Sequence, residues 1–360
     1  MPRQPYLSVI VPVQKTDVGV KEVLKSICNS AMARDSYELI VVDDQSTEES
    51  ASLAARYADK VVRLAGTPAG PAYARNRGVE IACGSVVAFV NADVAVNPGT
   101  LPAMLATLAK RPEIDAVSAS HSETCGPQNF ASRYWNLLLR YGEQPHRGRH
   151  AHFAAGCAAV RRDVLVSAGS YDEWRFVTAG VETFDLAHRL IGAGHRVVLD
   201  TNIKVTHLKR WTVRSVCQEV WRRSTLLARC LGYQQTRATI PSEVVFTLSR
   251  ALTPAVAVLV TLTLAAAFLP EPPALAAGGI AFSALLLTNL PVHRFYAKAA
   301  GLGFAIVAAP MHVFVQLVAG VALCNGWILR DMFGDVVPDV TTQAYSEVGL
   351  EMWPPVRRRL

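Results

Sequence analysis

Residues 86–94 read VVAFVNADV, an uncharged β-branched run that ends in two oxygen-bearing side chains, Asn91 and Asp93. The run predicts a buried strand, Ser85–Val90, with the pair at its carboxyl end. Asn91 and Asp93 are two positions apart, so continued extended backbone projects both to one side. Oxygen ligands so placed suit a divalent cation, Mg²⁺ or Mn²⁺, bridging a diphosphate. Such a cation offsets the charge that builds on a nucleoside-diphosphate leaving group. Taken alone, the pair is explained more simply as a polar strand exit.

Toward the N-terminus the chain alternates in type. Leu7–Val13 (LSVIVPV) predicts a strand, and Val18–Met32 has helical spacing with Val20, Val23, Leu24, Ile27 and Ala31 on one face. Tyr37–Val42 predicts a second strand and Ser46–Ala58 a helix, capped by Ser46 or Thr47 with Glu48 and Glu49 in its first turn. Lys60–Leu64 is a third strand and Pro71–Ala82 a third helix, stopped at Gly84. Beyond the starting stretch, Leu101–Lys110 predicts a helix and Ala116–Ser120 a strand. Residues 121–152 are polar, with Gly, Pro and His, and read as a mobile acceptor-side or lid segment. A helix Glu182–Gly192 and a strand Arg196–Asp200 follow. Strand–helix repeats at this spacing imply an α/β fold on a doubly wound parallel sheet, whose ligand sits beyond the carboxyl ends of the strands.

Polar residues gather at those ends. Asp43-Asp44 (VVDDQST) closes the second strand, where a carboxylate accepts a hydrogen bond from a base or ribose, or caps the next helix. Gly70–Gly78 (GPAYARNRG) opens a helix carrying Arg75 and Arg77, a start that suits a phosphate. No G-x-G-x-x-G follows the first strand and no G-x-x-x-x-G-K-[ST] occurs, which counts against a dehydrogenase and a P-loop NTPase.

In order, VIVPV, VVDDQST, GPAYARNRG and FVNADV resemble the family 2 glycosyltransferases of the GT-A fold. AAGCAAVRRDVLVSAGSYDE and GVETFDLAHRL resemble the acceptor-side half of the same family, so the likeness runs over about residues 6–215. It implies a Rossmann-like nucleotide-diphospho-sugar transferase and inversion by a single in-line displacement. It implies nucleotide-sugar contacts from Pro12, Asp43, Asp44, Arg75 and Asn91. The family's metal-binding D-x-D falls on Asn91-Ala92-Asp93, and its general-base segment on Glu182-Thr183-Phe184-Asp185-Leu186.

The chain departs from the family pattern at two positions. Asn91 keeps an oxygen ligand but carries no charge. Thr183 stands at the usual base position and cannot act as a base near neutral pH. Glu182 and Asp185, three apart on one helix face, are the remaining catalytic candidates, Glu182 first; Asp185 also has a structural alternative, an ion pair with Arg189. These departures motivate a rival reading, a non-catalytic membrane module that keeps the fold. His207-Leu208-Lys209-Arg210-Trp211 resembles the Q-x-x-R-W element of membrane-bound glycosyltransferases, with His in place of Gln. There His207 joins Asp93 and Asn91 as a metal ligand, Arg210 holds phosphate, and Trp211 stacks on a sugar or anchors at an interface.

The other end of the 360-residue chain is apolar. Ala251–Leu269 is uncharged and long enough to cross a bilayer, Ala274–Leu290 is a shorter candidate, and Ala299–Leu329 is a third, with Pro310 as a kink. Between Lys209 and Arg250 lie eight Lys/Arg against Glu219 and Glu243. That basic flank, with Val213, Val216, Val220, Leu227 and Leu231 on one helical face, predicts an amphipathic helix on a cytoplasmic membrane surface. The net charge of +7 has no nucleic-acid motif beside it. Seven cysteines without a C-x-x-C pair speak against a disulfide framework or zinc site and for a reducing compartment. Leu7–Val13 is too short for a secretory leader. Spans without paired charges disfavour a transporter, and the short membrane part disfavours a polymer-exporting synthase.

The expected organisation is therefore a GT-A domain over 1–215, a basic interfacial region over 216–250, transmembrane helices over 251–330 and a tail over 331–360. The expected protein is a multi-pass cell-membrane enzyme with its catalytic domain in the cytoplasm. It moves sugar from a nucleotide-diphospho-sugar to a lipid or lipid-linked acceptor.

Overall fold

The computed structural model describes residues 6–14, 19–46, 52–65, 70–144, 156–174, 181–234 and 287–333, with 276, 279 and 283. The strands are β1 (Leu7–Val13), β2 (Tyr37–Asp43), β3 (Lys60–Arg63), β4 (Val86–Val90), β5 (Val94–Val96), β6 (Ala116–His121), β7 (Cys157–Arg161) and β8 (Val197–His207). The helices are α1 (Val20–Cys28), α2 (Pro71–Ile81), α3 (Thr100–Lys110), α4 (Phe130–Gly142), α5 (Arg162–Ser167), α6 (Glu182–Gly192), α7 (Val213–Gln234), α8 (Leu290–Ala300) and α9 (Leu302–Phe333).

All eight strands form one sheet in the order β3-β2-β1-β4-β7-β6-β8-β5. The half made by β3, β2, β1 and β4 is parallel, as the strand–helix alternation predicts. The other half is mixed: β7 runs antiparallel to β4 and β6, and β5 antiparallel to β8. The purely parallel expectation is corrected there: after α4 the chain re-enters the sheet as β7 between β4 and β6, antiparallel to both, and the short β5 pairs antiparallel with β8. Val9, Ile10, Val11, Leu39, Ile40 and Val42 are buried, as strands covered on both faces require. On one face α1 and α3 pack Val23, Leu24, Ile27, Leu101 and Met104 against the sheet. On the other, α2, α5 and α6 pack Ala72, Leu165, Leu186 and Leu190. Gly78 of α2 is required here, since a Cβ on it would stand 2.5 Å from Cγ2 of Ile10.

The segment 121–152, expected as a mobile lid, contains α4. Its flanks are polar, but Ala131, Tyr134, Trp135 and Leu138 repeat at i, i+3, i+4 and i+7, which is a helix face. That face belongs to a third apolar cluster with Trp211, Val216, Val220, Tyr296, Ala308 and Met311. The amphipathic helix α7 thus turns Val216 and Val220 toward α4, α8 and α9 instead of leaving its whole apolar face for a bilayer. Small residues bring α7 and α9 close: Thr225 Oγ1 donates to the Ala322 carbonyl at 3.1 Å. A Cβ on Gly326 would lie 2.5 Å from the Thr225 carbonyl oxygen. A buried amide pair, Asn289 with Gln316 at 2.8 Å in both directions, joins the start of α8 to α9.

The expected third span divides at Gly301, whose φ of 91° favours glycine. Among the described residues one helix, α9 with 32 residues, is long and apolar enough to cross a membrane, and half of its most apolar window is buried. Its other side exposes Ile306, Val307, Phe314, Trp327 and Ile328. The expected first span, most of the second, residues 235–250 and the tail from 334 lie outside the described residues.

Candidate active site

The carboxyl ends of β1, β2 and β4 meet the start of α2. Asp44 leaves β2 and accepts hydrogen bonds at Oδ2 from the Gly70 backbone N–H at 2.9 Å and from Gln14 Nε2 at 3.0 Å. It therefore ties the first strand, the second strand and the helix start together. Gly70 holds φ 88°, a conformation that favours glycine. Gln45, next along, holds φ 61°, which is uncommon for a side chain of its size. The turn it makes lets Asp43 Oδ1 accept the Ser46 N–H at 2.7 Å. Asp43 Oδ2 is buried without a hydrogen-bond donor and lies 3.4 Å from Arg63 Nε, an ion-pair distance alone. Pro12 sits in β1 opposite Val42 and is partly exposed toward this end.

Arg75 is the hub. Its guanidinium donates to Glu182 Oε1 at 2.9 Å and to Asn91 Oδ1 at 3.0 Å, and it lies 5.2 Å from the centre of the Tyr171 ring. Both ionised side chains are 5% exposed. A fork of this shape holds a carboxylate and an amide at once, as a lysine cannot. Asn91, Arg75 and Glu182 come from β4, α2 and α6, so three stretches distant in sequence converge. Thr183 is buried beside them. Asp185 instead accepts from Arg189 Nε at 2.8 Å, and Arg189 also donates to the carbonyls of Ala168 and Ser170. Asp185 thus holds the turn after α5.

Asp93 lies beyond β4, with its side chain 31% exposed. Its backbone carbonyl accepts the Leu208 N–H at 2.8 Å, and Val94 pairs with His207 across β5 and β8. That pairing brings His207 Nε2 to 3.5 Å from Asp93 Oδ2. Trp211 Nε1 donates to His207 Nδ1 at 3.4 Å. Burial, helped by the His121 ring nearby, pushes the His207 imidazole down to about 4 against the upward pull of Asp93, so it is neutral near pH 7. Trp211 is 3% exposed, against Trp135 and His207, with the Lys209 ammonium 4.2 Å from its ring centre. Its place is behind His207, in the junction with α4. Arg210 is exposed.

Sequence reasoning missed His121 and Glu143. Glu143 follows α4 and accepts from Ser120 Oγ at 2.9 Å, His121 N–H at 2.9 Å and His121 Nδ1 at 2.6 Å. Burial works against its charged form, but the His121 ring and these hydrogen bonds outweigh it and hold the carboxyl below its usual range. The His121 and His207 ring centres are 5.9 Å apart. Only the polar, strand-ending sequence SASHSE signalled this residue.

The residues fit a cation in part. Asp93 offers a partly exposed carboxylate and the neighbouring imidazoles offer nitrogen, a donor mix closer to Mn²⁺ than to Mg²⁺. Among the described residues no three His, Cys, Asp or Glu side chains converge into a cage, so diphosphate and water oxygens would complete the shell.

This sheet, half parallel and half mixed, with its polar cluster beyond β1, β2 and β4, defines the GT-A glycosyltransferase fold. Mannosyltransferase PcManGT from Pyrobaculum calidifontis, solved with GDP-Man and Mn²⁺, shares that fold, with a TM-score of 0.56 at 18% identity over 92% of this chain and 88% of that one. Residues 8–168 match the family model Glycosyl transferase family 2 and form a domain of that family. The uncharacterized glycosyltransferase YibD of Escherichia coli is 34% identical over 122 residues, 33% of this chain and 34% of that protein. The poly(ribitol-phosphate) beta-glucosyltransferase of Bacillus spizizenii is 33% identical over 92 residues, 24% of this chain and 14% of that protein. The chain thus spans about a third of the first of these relatives and about a seventh of the second.

Proposed function

We propose that the whole chain is a membrane-associated glycosyltransferase that moves a sugar from a nucleotide-diphospho-sugar to a hydroxyl of a lipid or lipid-linked acceptor, with inversion. The observation that carries this reading is the joining of the half-buried Asn91 to the buried Arg75–Glu182 pair in one hydrogen-bonded chain beside Asp93. In it the diphosphate end of the site and the acceptor end share a single guanidinium. Asp43, Asp44 and Pro12 line the nucleotide side. Asp93 holds the divalent cation, with Asn91 and His207 bracketing it, and the cation when bound offsets charge on the departing diphosphate. Glu182 is the residue placed to take the acceptor proton, and Arg75 fixes where its carboxylate stands. Arg210, exposed at the entrance, suits a phosphate on donor or acceptor.

Two features support the membrane part: the exposed apolar side of α9 and the basic α7 packed against it. The similar mannosyltransferase structure contains GDP-Man and Mn²⁺, which supports donor and cation. The relative named as a poly(ribitol-phosphate) beta-glucosyltransferase supports transfer to an acceptor hydroxyl. The test is transfer from radiolabelled UDP- and GDP-sugars by full-length protein in membranes with Mn²⁺. Label entering the organic-extractable fraction supports the reading. Label remaining wholly as free sugar or in water-soluble polymer contradicts the lipid acceptor.

A further inference from the structure

Helices of the glycosyltransferase domain, or leading straight out of it, pack α9 along most of its length. Near its start, the Phe304 ring centre stands 5.5 Å from that of Phe130 and 4.9 Å from the Arg133 guanidinium, both on α4. Two turns on, His312 Nδ1 lies 3.1 Å from the Tyr134 hydroxyl of the same helix. Further along, α7 takes over at Ala322 and Gly326. α4 is itself fixed to the domain. Asn129 at its N-cap donates to the Trp211 carbonyl at 2.6 Å, and Glu143, just past its end, holds His121 of β6.

From Phe304 to Gly326 these contacts cover about 33 Å at 1.5 Å per residue, the full thickness of a bilayer's hydrocarbon, about 30 Å. Were α9 to cross, α4 and much of α7 would stand in hydrocarbon beside it. Their side chains oppose that. Glu219, Arg222 and Arg223 lie within two turns of Thr225, the α7 residue that meets Ala322 and Gly326, and Arg133 sits against Phe304. Charges at that depth are rare and costly. The other side of α9 suits lipid. Ile306, Val307, Phe314, Val321, Trp327 and Ile328 are exposed and follow three- and four-residue steps along one stripe. Beside it α8 exposes Arg294 and Lys298, and α7 exposes Arg214. The acids of α7, α8 and α9 are Glu219, already paired with Arg222 and Arg223, and Asp331 at the end of α9.

We infer that α9 does not cross the bilayer but lies flat in one leaflet of an anionic membrane, its exposed stripe among the acyl chains and its packed side carrying the GT-A domain. The inference rests on the membrane-associated reading given above and deepens it by naming the surface and its orientation. A half-sunk helix needs an apolar face, a packed or polar opposite face and basic groups at headgroup level, and α9 with α7 and α8 supplies all three. Trp211 shares an apolar cluster with Ala305 and Met311 of α9, which ties the His207 corner of the site to this membrane-facing layer.

The test uses full-length protein on vesicles of phosphatidylcholine and phosphatidylglycerol. Ile306→Cys, Phe314→Cys, Val321→Cys and Ile328→Cys are made one at a time in a chain carrying Cys83→Ser and Cys324→Ser, which removes two exposed thiols. All six positions are exposed, so the fold tolerates the changes. A nitroxide on each new thiol reports depth through its collisions with oxygen and with a water-soluble nickel chelate, against the unsubstituted parent. The four labels are expected at one depth, within about 5 Å, roughly 5–10 Å below the headgroups. A spanning α9 puts the Phe314→Cys and Val321→Cys labels about 10 Å deeper than the outer two, and that profile overturns the inference. Four labels in water on a vesicle-bound chain overturn it as well, since the stripe then meets no lipid. Strong spin–spin broadening does the same, because a second copy then covers the stripe. Offered neutral and anionic vesicles together, the wild type is expected to favour the anionic ones about 10-fold, and Arg294→Glu/Lys298→Glu to lose that preference. An unchanged preference in the variant overturns the anionic assignment. A wild-type chain that floats with no vesicle fails the membrane reading itself, a result distinct from all of these.

Discussion

Replacing Arg75 by Met probes the hub directly. The substitution removes a guanidinium that donates to Glu182 at 2.9 Å and to Asn91 at 3.0 Å, in a site where both charged side chains are 5% exposed. A hydrogen bond to a charged group contributes about 1.5–3 kcal/mol and one to a neutral amide about 1 kcal/mol. The cation over Tyr171 adds about 1 kcal/mol. The sum, about 4 kcal/mol, matches the usual cost of breaking one partner out of a buried ion pair. At about 2–4 °C per kcal/mol for a domain of this size, Tm falls by on the order of 10 °C. Glu182→Gln alone is also destabilising, because the buried guanidinium loses its countercharge. The double variant Arg75→Met/Glu182→Gln removes both charges, so its loss is smaller than the sum of the singles by about 2 kcal/mol. Thermal melts of full-length protein in detergent read all four corners of the cycle. A shift below about 2 °C for Arg75→Met, or strict additivity in the double variant, refutes a closed Arg75–Glu182 pair.

Further outcomes follow from other contacts. Glu38 is buried, and although burial opposes its charge, Lys60 at 2.8 Å, Ser8 and the Cys83 N–H together hold its carboxyl below the usual range. A carboxyl depressed in the folded state stabilises above its unfolded value, near pH 4.3, and that stability is lost as pH falls through the lower folded value. Glu38→Gln therefore lowers Tm at pH 7 by the equivalent of about 1–3 kcal/mol, with the gap to wild type narrowing below about pH 4, measured across a pH series. Gly326→Ala forces the new Cβ against the Thr225 carbonyl and Ala228, parting α7 from α9 at about 1–3 kcal/mol. Gly142→Ala, with nothing within 4 Å, is the control whose melt stays level or rises. Cutting the chain after 212 uncovers Tyr134, Trp135 and Trp211 from α7, α8 and α9, and the fragment is expected to aggregate and to lose transfer activity, read by size exclusion and label transfer.

The parts legible in the sequence were those in which local pattern and role coincide. VVDDQST, GPAYARNRG and VNADV each sit at a strand exit or helix start, and the structure gathers them at one end of the sheet. The helix over Glu182–Gly192 was visible from its spacing. The i,i+4 spacing of Asp185 and Arg189 predicts an ion pair, and the structure shows it. The antiparallel strands were harder to see. β7 is a five-residue run inside a motif with no turn signal of its own. β8 reaches His207 through alternating burial at Ile203, Val205 and His207, a period of two that continues past the strand's expected end at Asp200. The α4 helix hid behind its polar flanks, although its aromatic spacing was present. The link between His121 and Glu143 had no local signature: the residues are 22 positions apart and are joined only when α4 folds back beside β6. The basic neighbours of Trp211 suggest a sugar platform or membrane anchor, whereas tertiary packing against Trp135 buries it.

Release of nucleoside diphosphate by purified full-length protein, across a panel of UDP- and GDP-sugars with Mn²⁺ and membrane lipid extract, tests the central claim most directly. The account predicts release from one donor, lost in Asp93→Ala and strongly reduced in Glu182→Gln. No release from any donor, or release unaffected by Asp93→Ala, contradicts it and favours a non-catalytic module that keeps the glycosyltransferase fold.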